Sequence, residues 1–194
     1  SELISVDAAF KSKDANDFVA IQVWGKRKAD YYLRASFNKH LDFPQTVQML
    51  RTVKAMYPNA RMILIEDKAN GPAIVSTLQH DPDMFVVPVN PSGGKVARVN
   101  AVSAAIESGH VFLPMPDKAV WVNDFIDQFT SFPNGAHDDM VDAASQALHR
   151  MIYFRGEYEE YVPTEQEIAV KKEQEDFNDP GVLFNPYGTN EFFD

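Results

Sequence analysis

Residues 134–143, Asn-Gly-Ala-His-Asp-Asp-Met-Val-Asp-Ala, set His137, Asp138, Asp139 and Asp142 at the opening of an apolar helical pattern. Two further acids, Asp7 and Glu66, each follow a β-rich run, Leu-Ile-Ser-Val and Met-Ile-Leu-Ile. Three separate segments can therefore deliver carboxylates to one place. Carboxylate oxygens suit hard divalent cations, Mg2+ or Mn2+. Acids clustered without a cation repel one another or take up protons. Two such ions roughly 4 Å apart generate a hydroxide nucleophile and stabilise the leaving oxygen of a phosphodiester. His137, beside the acids, is placed to orient the attacking water, relay a proton or add a ligand.

The elements that must position these groups follow from hydrophobic period. Residues 3–6 read as a strand with Leu3, Ser5 and Asp7 on one face and Ile4 and Val6 on the other. A polar loop over 11–16 leads to strands over 18–24 and 31–37, separated by short polar turns as in an antiparallel meander. Helical spacing over 44–57, with Pro44 in the first turn, precedes a buried strand over 61–65. Helices are predicted over 70–78, 95–107, 119–129 and 138–151, and extended pieces over 84–89 and 111–113. Three strands followed by alternating α and β indicate an α/β fold, a mixed sheet covered by helices on both faces. Asp7 and Glu66 then sit at carboxyl ends of strands, where open sheets build their sites. Asp139 and Asp142, three apart on a helix, present neighbouring carboxylates while Asp138 projects away.

Each acid also has a plain structural reading. Asp138 or His137 can serve as the cap or first-turn residue of the helix. Asp7 can be a turn acid, and Asp142 a solvated helix position rather than a direct ligand. A one-residue shift of the strand would exchange Glu66 for Asp67. The joint pattern of three segments is stronger than any member of it.

At 194 residues, with 45% hydrophobic and 12% aromatic content and no cysteine, the chain suits one globular core, 1–154. Disulfides and thiolate metal sites are excluded. No apolar run approaches the roughly 20 residues of a membrane span. The formal charge of −10 seems adverse to nucleic acid, but it is unevenly spread: residues 155–194 hold 3 basic and 11 acidic residues, a net of −8. That acidic, aromatic tail is expected to be partly mobile, with a helix over 164–175 capped by Thr164 and Glu167. Its Phe184, Tyr187, Phe192 and Phe193 are expected to fold back or to dock on a partner protein. The body keeps Lys26, Arg27 and Lys28 at a hairpin tip, and Lys95 and Arg98 behind the Gly93-Gly94 pair, as phosphate-contacting candidates. The Ser92-Gly93-Gly94-Lys95-Val96 stretch lacks the spacing and the hydroxyl of a nucleotide-binding loop. No nucleophile elbow and no His-Glu-x-x-His zinc pattern occurs.

The chain resembles the C-terminal nuclease domain of the large terminase subunit of tailed bacteriophages, which has a ribonuclease H-like fold. The resemblance rests on Val-Asp-Ala-Ala-Phe and Asn-Asp-Phe-Val-Ala-Ile near the start and on Leu-Ile-Glu-Asp-Lys-Ala-Asn-Gly in the middle. Lys-Val-Ala-Arg, Gly-His-Val-Phe-Leu-Pro and Phe-Pro-Asn-Gly-Ala-His-Asp-Asp-Met-Val-Asp-Ala follow, in the family's order across roughly residues 3 to 150. It implies a two-metal endonuclease cutting concatemeric viral DNA in the cytoplasm of an infected bacterium, with Asp7, Glu66 and Asp139 as the catalytic triad. It also implies Asp142 as a ligand in some members, an auxiliary acid at Asp14 or Asp17, and Asp67 as the rival to Glu66. The implied partners are double-stranded DNA, the portal protein, the small terminase subunit and a separate N-terminal ATPase domain outside these residues. A transposase or junction resolvase of the same fold, and a non-catalytic module docking on portal or capsid, are the competing expectations.

Overall fold

Strict alternation along the strands decides which side chains can reach the site. In the computed structural model, residues 1–8, 18–68, 71–154 and 163–177 are described. The chain runs β1 (Glu2–Ala8), β2 (Phe18–Arg27), β3 (Asp30–His40), α1 (Phe43–Met56), β4 (Ala60–Glu66), α2 (Gly71–Leu78), β5 (Val86–Val89), α3 (Lys95–Glu107), β6 (Val111–Phe112), α4 (Trp121–Ser131), α5 (Asp139–Tyr153) and α6 (Glu165–Phe177). The strands form one six-stranded sheet in the order β5-β4-β1-β2-β3-β6. β1, β2 and β3 are antiparallel neighbours, while β4 joins β1, β5 joins β4 and β6 joins β3 in parallel. This is the expected mixed sheet of a ribonuclease H-like fold.

Two cores fill the two faces. Ile4 and Val6 of β1 and Ile63 and Ile65 of β4 point to one face, where Val47, Leu50 and Val53 of α1 and Ile74 and Leu78 of α2 cover them. Leu3 of β1 and Met62 and Leu64 of β4 point to the other, against Val102 of α3, Phe125 of α4 and the Met140, Ala143, Ala144, Ala147 and Leu148 stripe of α5. By the same alternation Ser5 and Asp7 share a face with Leu3, and Glu66 shares one with Leu64. The acids of both strands therefore face α5.

Three alanines on α5 let that helix lie close to the sheet, and polar side chains then fix its height. Ser5 Oγ donates to the Ala143 carbonyl at 2.7 Å and Gln22 Nε2 to the Met140 carbonyl at 3.0 Å. Gln146 Nε2 donates to Ser5 Oγ at 3.0 Å and lies within 3.3 Å of the Val6 and Leu64 carbonyls. Trp24, fully buried, donates its indole N–H to Gln22 Oε1 at 3.0 Å. Trp121 packs partly buried against the edge of this core.

The predicted cap of the last helix forms: Thr164 N–H donates to Glu167 Oε2 at 2.7 Å, and the Glu167 N–H returns to Thr164 Oγ1 at 3.3 Å. α6 is tied to the sheet edge by Glu167 to Arg34 at 3.2 Å and Lys171 to Asp30 at 2.5 Å, with Val170 buried beneath it. The tail aromatics Phe184, Tyr187, Phe192 and Phe193 lie outside the described residues. Among the described residues no helix is long and apolar enough to cross a membrane.

Gly71 opens α2 directly against the end of β4. A Cβ there would stand 1.9 Å from the Glu66 carbonyl oxygen, so any side chain must push the strand end that carries Glu66. Gly71→Ala is expected to cost roughly 1–3 kcal/mol, the range for overpacking. Urea unfolding followed by circular dichroism measures it, and an unchanged midpoint would contradict the close approach.

Candidate active site

Asp7 is 7% exposed at the end of β1, on the face that α5 covers. Burial pushes its carboxyl up to about 8, and the negative charges of Asp142, Asp139 and Glu66 push in the same direction. Four carboxylates from β1, β4 and α5 are thus close enough to feel one another. Parallel register explains why Glu66 is among them. Val6 pairs with Ile65 between β1 and β4, so the next residues along, Asp7 and Glu66, end neighbouring strands on one face. Asp67 is one step beyond; its N–H is spent on the Val89 carbonyl at 2.7 Å and its carboxylate faces Asn90 at 3.5 Å.

On α5 the three acids have different surroundings. Burial also raises Asp139, with the Asp138 carboxylate adding to it and His137 opposing it. His137 Nδ1 lies 3.9 Å from Asp139 Oδ2, and its ring packs edge-on to Phe18 with centroids 4.9 Å apart. Asp142, 5% exposed, has both oxygens engaged: Oδ1 by Arg98 Nη2 at 2.8 Å and Oδ2 by Lys95 Nζ at 2.6 Å. Asp138 occupies the cap position, yet its side chain makes no cap hydrogen bond. It takes Lys95 Nζ at 2.6 Å instead. Asp138 was expected to project away from Asp142; one ammonium bridges the two. Burial works against the Lys95 charge, but the hydrogen bonds to Asp138 and Asp142 outweigh it and hold the ammonium well above its ordinary range.

Lys95 and Arg98, expected to face a phosphate backbone, thus turn inward onto carboxylates of their own chain. The Lys26, Arg27 and Lys28 tip stands at the opposite end of the sheet. Ala20 is the β2 partner of Asp7, and the six residues from there to Lys26 span roughly 20 Å at the strand rise. Lys26 Nζ donates to the Met151 carbonyl and lies over the Tyr31 ring. Asp14 and Asp17 lie outside the described residues. Ser5, Gln22 and Gln146, which set the height of α5, were not among the sequence candidates. Their only signal was a polar residue at an inward position of an otherwise apolar strand or helix.

The donor set is oxygen only, with an imidazole at its edge, which suits Mg2+ or Mn2+. Among the described residues no three of these side chains are gathered as formed ligands around one point. Lys68 Nζ at 3.3 Å from Glu66 supplies part of the missing positive charge.

The comparisons with known proteins agree with this architecture. A family model described as a terminase RNaseH-like domain matches residues 4–151. The chain is similar to the large terminase nuclease of thermophilic phage G20c solved with bound cobalt, at 17% identity and a TM-score of 0.55, covering 77% of this chain and 80% of that one. The nuclease domain of the bacteriophage SPP1 large terminase, with bound Mn, gives 16% identity and a TM-score of 0.53 over 78% and 86%. The human cytomegalovirus terminase nuclease domain gives 14% and 0.55 over 77% and 82%. No curated protein matches the chain.

The raised Asp7 carboxyl has a stability consequence. Its folded pKa of about 8 exceeds the ordinary 3.8, so the folded state binds the extra proton between those values. Stability contributed by the neutral form is present at low pH and is lost as pH rises toward and through about 8. In metal-free protein Asp7→Asn is expected to raise the thermal midpoint at pH 8 and to flatten its fall between pH 5 and 8. Melting curves across that range test it, and a variant that tracks the parent at every pH would refute the raised Asp7 carboxyl.

Proposed function

The chain belongs to the terminase RNaseH-like domain family, and on that premise we propose that it is a metal-dependent endonuclease acting on double-stranded DNA. The finer reading is cleavage of viral DNA concatemers during genome packaging, through two-metal hydrolysis. One observation carries it: β1 and β4, in parallel register, end in Asp7 and Glu66 on the face covered by α5, whose first turn holds Asp139 and Asp142. A purely structural role gives no reason to bring four acids from three elements together at a cost in repulsion.

Asp7, Glu66 and Asp139 are the residues we assign to hold Mg2+ or Mn2+. When bound there, the metal supplies neutralising charge, an activated water and stabilisation of the leaving oxygen. Asp142 is assigned a different part from direct ligation, because both its oxygens are taken by Lys95 and Arg98. It neutralises itself with those two cations and fixes α3 beside the acids. His137, exposed and 3.9 Å from Asp139, is positioned to accept a proton from water or pass it to the departing oxygen. Ser5, Gln22 and Gln146 hold α5 at the height that keeps Asp139 over β1. The DNA, and with it the portal, the small subunit and an ATPase domain as partners, follow from the family reading.

Purified protein is expected to nick or linearise plasmid DNA with Mg2+ or Mn2+ and to lose that activity in chelator. Asp139→Ala should reduce cleavage by at least about 100-fold, as expected for loss of a metal-site residue, with an unchanged circular dichroism spectrum. Cleavage that survives both chelator and this substitution would refute the proposal.

A further inference from the structure

A groove of about 450 Å³ runs from the carboxylates along α5, with Glu66 and Asp142 at one end and Arg150 and Phe154 among its lining. Val89 and Ala101 contribute an apolar wall. Eight residues of α5 separate Asp142 from Arg150, about 12 Å of helix rise. Arg150 differs from the other cations beside the site. Lys95 and Arg98 are consumed by Asp138 and Asp142, and Lys68 by Glu66. Arg150 has no acidic partner among the described residues; its guanidinium lies over the Phe154 ring at 4.5 Å, and its Nε is buried without any hydrogen-bond acceptor.

A guanidinium that lies over an aromatic ring and lines an open groove without an acidic partner is placed to meet an oxyanion there. The shape of the groove says which one. A DNA strand carries a charged phosphate at every nucleotide, so a strand that reaches from the carboxylates to Arg150 brings further phosphates along the groove. Metal charge is confined to the acidic end, and phosphates farther along need a cation of their own.

Resting on the nuclease reading above, we propose that this groove holds the sugar–phosphate backbone flanking the scissile bond. Arg150 donates to a phosphate of that strand about 12 Å from the carboxylates. It is a positioning residue: it touches the strand and not the reacting atoms. Among the described residues, the plainer role is a cation completing the carboxyl end of α5.

Fluorescence anisotropy on a labelled duplex separates the two, measured in the Asp139→Asn background so that the DNA stays intact. Between about 50 and 200 mM salt, Arg150→Gln is expected to lower the salt slope of log affinity by about 0.9 and to weaken binding about tenfold at the low end. Arg150→Lys, which keeps the charge and the apolar stem, should retain the slope. In otherwise unaltered protein the Gln substitution should raise KM about tenfold, with kcat the lesser effect. A Gln variant with the parental slope and affinity overturns the assignment. So does a loss in both variants accompanied by a lower thermal midpoint, which marks Arg150 as a packing residue. Parental cleavage with unchanged binding by the Gln variant sinks the groove alone, whereas a parent that neither binds nor cuts DNA sinks the nuclease reading as well.

Discussion

Everything at the acidic end of this molecule depends on the height at which α5 rests on the sheet. Small side chains permit the approach, since Ala143, Ala144 and Ala147 present little more than a methyl group to β1 and β2. Directional bonds then choose one height, through Ser5 to the Ala143 carbonyl and Gln22 to the Met140 carbonyl. Carbonyls inside a helix are already acceptors for its own N–H groups, so these bonds use their second lone pairs. Each contributes only about 1 kcal/mol net, but removing a partner inside the core leaves a buried polar group unmet at about 1–3 kcal/mol. Packing alone would tolerate a helix shifted by a fraction of a turn, and the acid positions would not.

The second constraint is charge. The cluster carries four carboxylates in a half-buried place, and the chain meets their repulsion in three ways. Asp142 is given two cations, Lys95 and Arg98. Glu66 is given Lys68 at 3.3 Å. Asp7, buried and without a cation of its own among those three, is pushed by burial and its neighbours toward keeping its proton. Asp139 is left with His137 as a distant counterpart and is itself raised. Positive charge is spent where the helices bring it close, and protons serve where it is missing.

Most of the fold was legible because the apolar period was clean. The alternation in Leu-Ile-Ser-Val-Asp separates the two faces of β1, and the same parity in Met-Ile-Leu-Ile-Glu does so for β4. The α3 boundaries follow from Gly94 before and Gly109 after the run. Three acidic segments could be named for the same reason, since strand ends and helix starts are local signals. The pairing of Glu66 rather than Asp67 with Asp7 was not local; it is set by parallel register between strands more than fifty residues apart. The direction of Lys95 and Arg98 was equally hidden, because a helix periodicity with weak amphipathic character does not say which turn faces a neighbour's carboxylate. The basic hairpin tip was read from composition, and only strand length put it at the far end of the sheet.

One long-range bond carries a further consequence. Ser5 and Ala143, joined by a single hydrogen bond, lie 138 residues apart, and nearly every other element intervenes between them. Closing so large a loop is slow and entropically costly, and it comes after local structure has formed. No fragment of the chain gathers the acids, whether a nascent N-terminal half on a ribosome or a product of proteolytic clipping before α5. The acid cluster and the completed tertiary structure therefore arise together.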